Sequence, residues 1–193
     1  MQEIYPVRYW SIIQLRQGGV NGYGEVDDVL AALSYLQTLD YVDSGHIYLG
    51  GHSTGGTLAL LVAEYSARFR AVFSFGPVSE VLAYGAASGF IPYDRSLPEE
   101  SKLRSPIHWL SSVKSPVWVF EGSKGNILDL RGMAGAVKNP NLHFIEINGA
   151  SHFSGLAPTT ELLARKILQD SGAGIGLTIT NDEVTQNFNL RVE

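Results

Sequence analysis

The chain has 193 residues, 45% of them hydrophobic, which is enough to bury the core of one compact domain. Its net charge is −5 at pH 7 and its basic residues are scattered, so we expect neither a nucleic acid nor an anionic membrane as partner. It contains no cysteine, which excludes disulfides, thiolate catalysis and cysteine-ligated metals. The first residues lack a basic segment followed by a long apolar run, so we expect no signal peptide and a cytoplasmic location.

Short apolar runs alternate with helical patterns along the chain. Residues 8–15 form an aromatic and β-branched run that predicts a first strand, and residues 25–40 carry apolar side chains at helical spacing. We predict further strands at 46–51, 70–76, 115–122 and 141–149, and further helices at 57–69, 125–139 and 157–170. This alternation predicts an α/β fold, in which a mostly parallel sheet is covered by helices on both faces.

Two segments fall outside this alternation. Residues 77–115 contain several glycines and prolines, and we predict that they form a small lid-like insertion in a domain that spans residues 1–170. Residues 171–193 are rich in glycine and then polar, which favours a flexible tail or an edge hairpin that turns at Asn181 and Asp182.

A serine between glycines is the first candidate for chemistry. Ser53 lies in the stretch GGHSTGG, between the strand predicted at 46–51 and the helix predicted at 57–69. A nucleophile at such a strand–turn–helix junction projects its hydroxyl from the carboxyl edge of the sheet, and Gly51 and Gly55 leave room for the strained turn. We therefore interpret Ser53 as a nucleophile. The alternative is that it only caps the helix.

One histidine is well placed to be the base that a serine nucleophile needs. His152 follows the last predicted strand and precedes the helix predicted at 157–170. We interpret it as the base, and the alternative is an ordinary loop histidine. The other histidines are less well placed: His46 and His143 fall on strands, His108 falls in the insertion, and His52 is expected to point away from Ser53.

Several stretches in the same order resemble the α/β-hydrolase superfamily, and within it the prolyl oligopeptidase and dienelactone-hydrolase-like branch. They are GGVNGYGEVDDVLAALSYL, VDSGHIYLGGHSTGGTLALLVAE, FRAVFSFGPVSE, LRSPIHWLSSVKSPVWVFEG and INGASHFSGLAPTTELLARKIL, which cover most of residues 16–168. The resemblance implies a serine hydrolase that cleaves a small ester or a peptide through an acyl-enzyme. It assigns Ser53 as the nucleophile, His152 as the base and the backbone N–H of Thr54 as an oxyanion donor. No metal and no organic cofactor is implied.

The chain departs from this branch at the acid of the triad. The resemblance places an aspartate at position 125, in the stretch EGSKGN, but this chain has Gly125 there, and Glu121 ends the preceding strand. We rank Asp129 first as the acid, Asn126 second and Glu80 third. The alternative for each of them is a solvated surface residue.

A second departure lies at the front of the chain. The branch has several strands before the GYG stretch, whereas no segment before Arg16 is long enough to hold more than one. We therefore predict an N-terminally shortened α/β-hydrolase fold, which is either a truncated domain or a minimal variant. In it the strand at 8–15 either pairs directly with the strand at 46–51 or leaves a central gap with unpaired backbone groups. The loop that supplies the second oxyanion donor has no counterpart. Exposed strand edges favour a homodimer.

The insertion is expected to shape the substrate pocket. Phe90, Tyr93 and Trp109 could supply apolar walls, and Arg95 or Arg104 could bind an acidic group. For each of them, ordinary packing or surface charge is the simpler interpretation.

Two other functions compete with hydrolysis. Without a carboxylate at 125 and without the loop for the second oxyanion donor, the chain could be a catalytically impaired or inactive binding protein or fragment of the same fold. The glycine-rich stretch GGVNGYGE also suggests a dinucleotide site, but it lacks the G-x-G-x-x-G spacing. The acids that follow it would also repel a pyrophosphate.

Overall fold

Five strands form one parallel sheet in the computed structural model, which describes residues 10–12, 24–84 and 96–192. Their order in the sheet is their order along the chain: β1 (Trp10–Ile12), β2 (Tyr48–His52), β3 (Ala71–Phe75), β4 (Val117–Gly122) and β5 (Leu142–Ile147). β1 pairs directly with β2, with Trp10 opposite Tyr48, which is the first of the two predicted alternatives. The predicted parallel sheet is thus confirmed.

Helices follow or connect these strands. They are α1 (Gly24–Leu36), α2 (Thr54–Tyr65), α3 (Pro98–Leu103), α4 (Ile127–Ala136), α5 (Leu156–Gln169) and α6 (Asn181–Val192). Short 3-10 turns occupy Val81–Tyr84, Pro106–His108 and Leu110–Ser112. None of the helices in the described ranges is both long and apolar enough to cross a membrane.

The sheet buries both of its faces, and each face has its own core. Successive side chains of a strand point to opposite faces, so Leu49 and Tyr48 belong to different cores. Three of the helices that connect consecutive strands, α1, α2 and α4, pack on the Leu49 face. Right-handed crossovers in one direction place such helices on the same face. Helices α5 and α6 cover the opposite face, where Leu163 and Phe188 pack against the strands. The prediction of helices on both faces is confirmed.

The carboxyl ends of the parallel strands lie at one edge of the sheet. β2 ends directly before Ser53, β3 directly before Gly76, and β4 at Gly122. β5 leads into the loop that carries His152. Residues distant in sequence therefore meet at this edge.

The prediction of a flexible tail or an edge hairpin at residues 171–193 is wrong, because this segment contains α6. Thr180 and Glu183 have the spacing of a capping box, and the Glu183 N–H donates to Thr180 Oγ1 at 3.3 Å. Val184 and Phe188, one helical turn apart, are buried in the α5 core. Because most of the surrounding residues are polar, the sequence pattern did not predict a helix from this short apolar stripe.

The described part of the insertion packs on the domain. Arg104 and Ser105 are buried, and Ser105 Oγ accepts a hydrogen bond from the Val81 N–H at 3.0 Å. Of the residues expected to line a substrate pocket there, Phe90, Tyr93 and Arg95 lie outside the described residues.

Candidate active site

Ser53 stands in a strained backbone conformation between β2 and α2. Its φ is 57° and its ψ is −117°, and within the described ranges no other residue except glycine has a positive φ. Such a conformation costs on the order of 1–3 kcal/mol for a residue with a side chain, and it is typical of functional turns. The Ser53 hydroxyl makes no capping hydrogen bond to α2. Ser53 thus occupies the N-cap position of α2, but its hydroxyl does not serve as the cap.

Glycines around Ser53 let the turn pack against its neighbours. A Cβ on Gly51 would lie 2.0 Å from the carbonyl oxygen of Gly55. A Cβ on Gly56 would lie 2.4 Å from the carbonyl oxygen of Phe75. The turn is fixed from below, because the Ser53 N–H donates to that same Phe75 carbonyl at 2.8 Å.

A buried carboxylate holds the imidazole of His152. His152 Nδ1 lies 2.9 Å from Glu121 Oε2, and the two side chains are 17% and 2% exposed. The other carboxylate oxygen, Oε1, accepts the backbone N–H of Gly122 at 2.6 Å. Glu121 is the penultimate residue of β4, so the sheet itself positions this acid.

Two glycines make space for this pair. A Cβ on Gly125 would lie 2.3 Å from Glu121 Oε1 and 3.0 Å from His152 Cα. A Cβ on Gly76, which has a φ of +57°, would lie 2.3 Å from His152 Cε1 and 3.0 Å from Glu121 Oε2. The glycine at the position where the resemblance implies an aspartate therefore leaves the room that the Glu121 carboxylate fills.

Ser53 and His152 approach the same edge through shared neighbours. Ser53 is tied to Phe75, and the next residue, Gly76, touches the His152 ring. His52 lies beside the same histidine, with its Nε2 3.0 Å from the His152 carbonyl oxygen and the two ring centroids 4.6 Å apart. His52, which was expected to point away from Ser53, thus packs against His152, because the loop after β5 folds back over the end of β2.

The Ser53 hydroxyl is not hydrogen-bonded to His152 in this structure. Catalytic hydrogen bonds are often long or misaligned without substrate and tighten in the bound complex, so the arrangement is compatible with proton transfer. Thr54 is the first residue of α2, where a backbone N–H has no acceptor within the helix and can face an oxyanion.

The three residues that the sequence analysis ranked as partners of His152, in the place of the triad acid, lie elsewhere. Asp129 Oδ1 accepts hydrogen bonds from the Ser79 N–H at 2.8 Å and from Ser79 Oγ at 2.6 Å, because α4 turns it towards the segment after β3. Glu80 Oε1 lies 3.2 Å from His108 Nε2. Asn126 precedes α4 and makes no side-chain cap. None of them contacts the His152 ring, which pairs with Glu121.

Tyr84 anchors the insertion to the first turn of α2. Its hydroxyl lies 2.7 Å from Thr57 Oγ1, which also accepts the Val78 N–H at 3.1 Å. Burial raises the pKa of Tyr84 to about 12, so the phenol stays protonated. The segment from Val78 to Tyr84 is therefore fixed against the helix that begins at the candidate nucleophile.

Trp109, the third residue expected in the pocket wall, lies away from His152. Its indole N–H donates to the Lys102 carbonyl at 3.0 Å, and the Lys102 ammonium lies 5.7 Å from the ring centroid. It lines a separate cleft with residues of α1 and α2. Arg104 lines the same cleft and pairs with Glu100.

Sequence reasoning missed Glu121 as the partner of His152. The signal was a single charged residue in the otherwise apolar run VWVFEG, followed four residues later by a glycine. A carboxylate in a strand buried on both sides is costly unless it is paired. Such a residue is therefore a candidate site residue even where no loop aspartate follows.

The prolyl oligopeptidase family model matches residues 16–126 of the chain. This match contains Ser53 and Glu121 and ends before His152. No protein with a curated description matches the chain.

Solved structures share the fold. Dipeptidyl peptidase 4 of Porphyromonas gingivalis is 21% identical, with a TM-score of 0.64, over 78% of this chain and 23% of that one. Acylaminoacyl peptidase of Pyrococcus horikoshii is 14% identical, with a TM-score of 0.64, over 86% of this chain and 31% of that one. The 2,6-dihydroxy-pseudo-oxynicotine hydrolase is 19% identical, with a TM-score of 0.65, over 83% and 50%. The chain thus spans half or less of the length of each of these structures.

Proposed function

Because the chain belongs to the prolyl oligopeptidase family, we propose that it is a serine hydrolase that cleaves an ester or amide bond through an acyl-enzyme. One observation carries the proposal: the buried pair of His152 and Glu121 lies at the sheet edge where Ser53 stands in its strained turn. A hydroxyl, an imidazole and an orienting carboxylate are the side chains that acyl transfer by a serine requires.

The pairing determines which nitrogen of His152 acts as the base. An ionised carboxylate can only accept hydrogen bonds, so Nδ1 of the neutral imidazole carries the proton that faces Glu121. Nε2 then holds the free lone pair and takes the proton of Ser53 Oγ during attack. The imidazolium that results faces the Glu121 carboxylate, which stabilises its positive charge.

The reaction proceeds in two halves. Ser53 Oγ bonds to the substrate carbonyl carbon, and His152 passes the proton to the leaving alcohol or amine as the scissile bond breaks. Water then attacks the acyl-enzyme, with His152 taking a proton from the water and returning it to Ser53. The Thr54 N–H and the positive end of α2 stabilise the oxyanion in both halves.

The substrate is a small ester or a short peptide. Two of the similar structures are named as a dipeptidyl peptidase and an acylaminoacyl peptidase, which supports a peptide. Ester cleavage uses the same groups with a better leaving group, so a simple activated ester is a suitable first substrate.

The competing interpretation, an inactive binding protein or fragment, depended on the missing carboxylate at position 125 and on the missing loop for the second oxyanion donor. Glu121 lies beside His152 Nδ1 and supplies a carboxylate from a different position of the chain, which removes the first argument. The second argument remains, and the assay below separates the two functions.

Hydrolysis of p-nitrophenyl acetate tests the proposal. We expect turnover by the wild-type chain and its loss in Ser53→Ala. Ser66→Ala is the matched control, because Ser66 lies at the other end of α2. We expect this variant to retain full activity. Absence of turnover, or turnover that persists in Ser53→Ala, would contradict the proposal.

A further inference from the structure

A second cleft lies away from the candidate active site. Its volume is about 560 Å³, within the range of small-molecule sites. Its walls come from α1, from the last turns of α2, and from the segment at residues 103–112, and it shares no lining residue with the pocket around His152. Glu64 lies eleven residues beyond Ser53 along α2, or about 16 Å along the helix axis.

Most of the cleft wall is apolar, and one carboxylate in it lacks a partner. Val26, Leu61, Leu103 and Trp109 supply apolar surface. Glu64 lines the same cleft, and both of its carboxylate oxygens are buried without a hydrogen-bond partner. A buried polar group that makes no hydrogen bond costs free energy, about 1–3 kcal/mol or more for a charged group.

The position of Glu64 in its helix adds a second cost. It is the penultimate residue of α2, where the helix dipole is negative and favours a cation over an anion. Burial raises the pKa of Glu64 well above 4.5, which shows that the ionised form is disfavoured there. Both costs would be relieved by a positive group beside this carboxylate.

The other charged groups among the described lining residues do not pair with Glu64. Arg104 lines the cleft, but its guanidinium pairs with the Glu100 side chain and donates to the Glu100 carbonyl. Asp27 adds a second acidic group from α1. Tyr65 adds a phenol to the described part of the wall, and a phenol does not supply a cation.

We propose that this cleft binds a small organic cation with an apolar body, whose ammonium group pairs with Glu64 while the body packs on Trp109 and Leu61. The glutamate side chain has three torsions, so a change of rotamer turns its oxygens into the cleft. Because burial raises the pKa of Glu64, pairing with an ammonium group favours the ionised carboxylate, and we expect binding to be coupled to proton release. The proposal goes beyond hydrolysis and does not depend on it.

Two probes of the same shape test the proposal. 2-Phenylethylamine carries an ammonium group and 2-phenylethanol carries a neutral hydroxyl, and the indole N–H resonance of Trp109, assigned with Trp109→Phe, reports on the cleft. We expect saturable binding of the amine and at least tenfold weaker binding of the alcohol. Amine binding should tighten up to tenfold per pH unit between pH 6 and 8, as Glu64 becomes easier to ionise. Equal affinities for the two probes, or no saturable binding of the amine, would overturn the proposal.

Glu64→Gln provides the matched variant, and Glu99→Gln on the exposed surface of α3 is its control. We expect at least a tenfold loss of amine affinity in Glu64→Gln and none in Glu99→Gln. Glu64→Gln should also melt at a higher temperature than wild type, with a difference that grows from pH 5 to pH 8, because the raised pKa of Glu64 costs stability as pH rises. A lower melting temperature would show that Glu64 already has a partner in the chain and would overturn the proposal. Hydrolysis should be unchanged in this variant, so the two functions fail separately.

Discussion

Two buried carboxylates lie at opposite edges of the parallel sheet, and their partners differ. At the amino edge, the Asp170 carboxylate accepts two hydrogen bonds from the Arg70 guanidinium, at 2.7 Å from Nε and 2.8 Å from Nη2. It also accepts hydrogen bonds from the Tyr48 hydroxyl at 2.6 Å and from the Gly176 N–H at 2.9 Å. At the carboxyl edge, Glu121 accepts one backbone N–H and faces an imidazole. A permanently charged partner fixes a structure, whereas a partner that gains and loses a proton permits chemistry.

The electrostatics of the amino edge agree with a structural role. The hydrogen bonds from Arg70 hold the pKa of Asp170 well below its usual range, so the pair stays ionised at all ordinary pH values. Arg70 also donates to the carbonyls of Gly172 and Gly174, so the pair ties the loop after α5 to the start of β3. We therefore expect changes at the two edges to separate activity from stability.

The largest effect on activity is expected from His152→Ala. Without the imidazole no group takes the Ser53 proton, so kcat for p-nitrophenyl acetate should fall by about ten-thousandfold or more. His143→Ala is the control, because His143 stacks on Trp118 and lies on β5. If His152→Ala keeps a tenth of the wild-type kcat, His152 is not the base, and the contrast between the two edges of the sheet fails.

Glu121→Gln should have the next largest effect. The amide can donate to Nδ1 and favour the wrong tautomer of His152, so kcat should fall by about a thousandfold. Asp129→Asn is the matched control, since Asp129 bonds to Ser79 rather than to His152. If Asp129→Asn lowers kcat more than Glu121→Gln does, the assignment of the acid to Glu121 is wrong.

Gly125→Ala tests the space that Glu121 fills. The added Cβ would lie 2.3 Å from Oε1, so the carboxylate must shift and kcat should fall by about tenfold to a hundredfold. Gly135→Ala, where a Cβ meets nothing within 4 Å, should leave kcat unchanged. Equal activities of the two variants would show that the pair tolerates displacement.

Asp170→Asn should have the smallest effect on kcat and the largest on stability. It leaves the buried Arg70 without its anion, which should lower the free energy of unfolding by about 3–5 kcal/mol, measured by urea denaturation. The kcat of the folded fraction should stay within about twofold of wild type, because Asp170 lies at the edge opposite His152.

The pair of Asp170 and Arg70 should also make the free energy of unfolding depend on pH. Because the folded-state pKa of Asp170 is depressed, its stabilisation is present above the unfolded value near 3.8 and is lost as the pH falls towards the folded value. The wild type should therefore lose stability below about pH 4 more steeply than Asp170→Asn. Parallel curves would contradict the structural role of the pair.

The parts of the site that the sequence could predict are local in the chain. Ser53 follows a strand and precedes a helix within a few residues, and His152 follows the last strand, so pattern and order place both at the carboxyl edge. The five strands were predictable for the same reason, because each is a short apolar run bounded by turn residues.

The acid and the tail were not predictable in this way. The run VWVFEG marks Glu121 as a charged residue in an apolar strand, but it does not show which group Glu121 pairs with. That pairing is recognised only when the backbone shows that Gly125 and Gly76 leave space for the carboxylate beside His152. Helix α6 has few apolar residues, and its stability comes from burying Val184 and Phe188 against α5 and β5. Tertiary packing outweighs a weak local pattern there.

Labelling by a fluorophosphonate probe tests the central claim most directly, since the probe reacts with a serine only when a base activates it. The labelled chain is digested and the adduct is located by peptide mass spectrometry. We predict a single adduct on Ser53 that forms in the wild type and is absent in His152→Ala. No adduct on Ser53, under conditions in which a known serine hydrolase is fully labelled, would contradict the account.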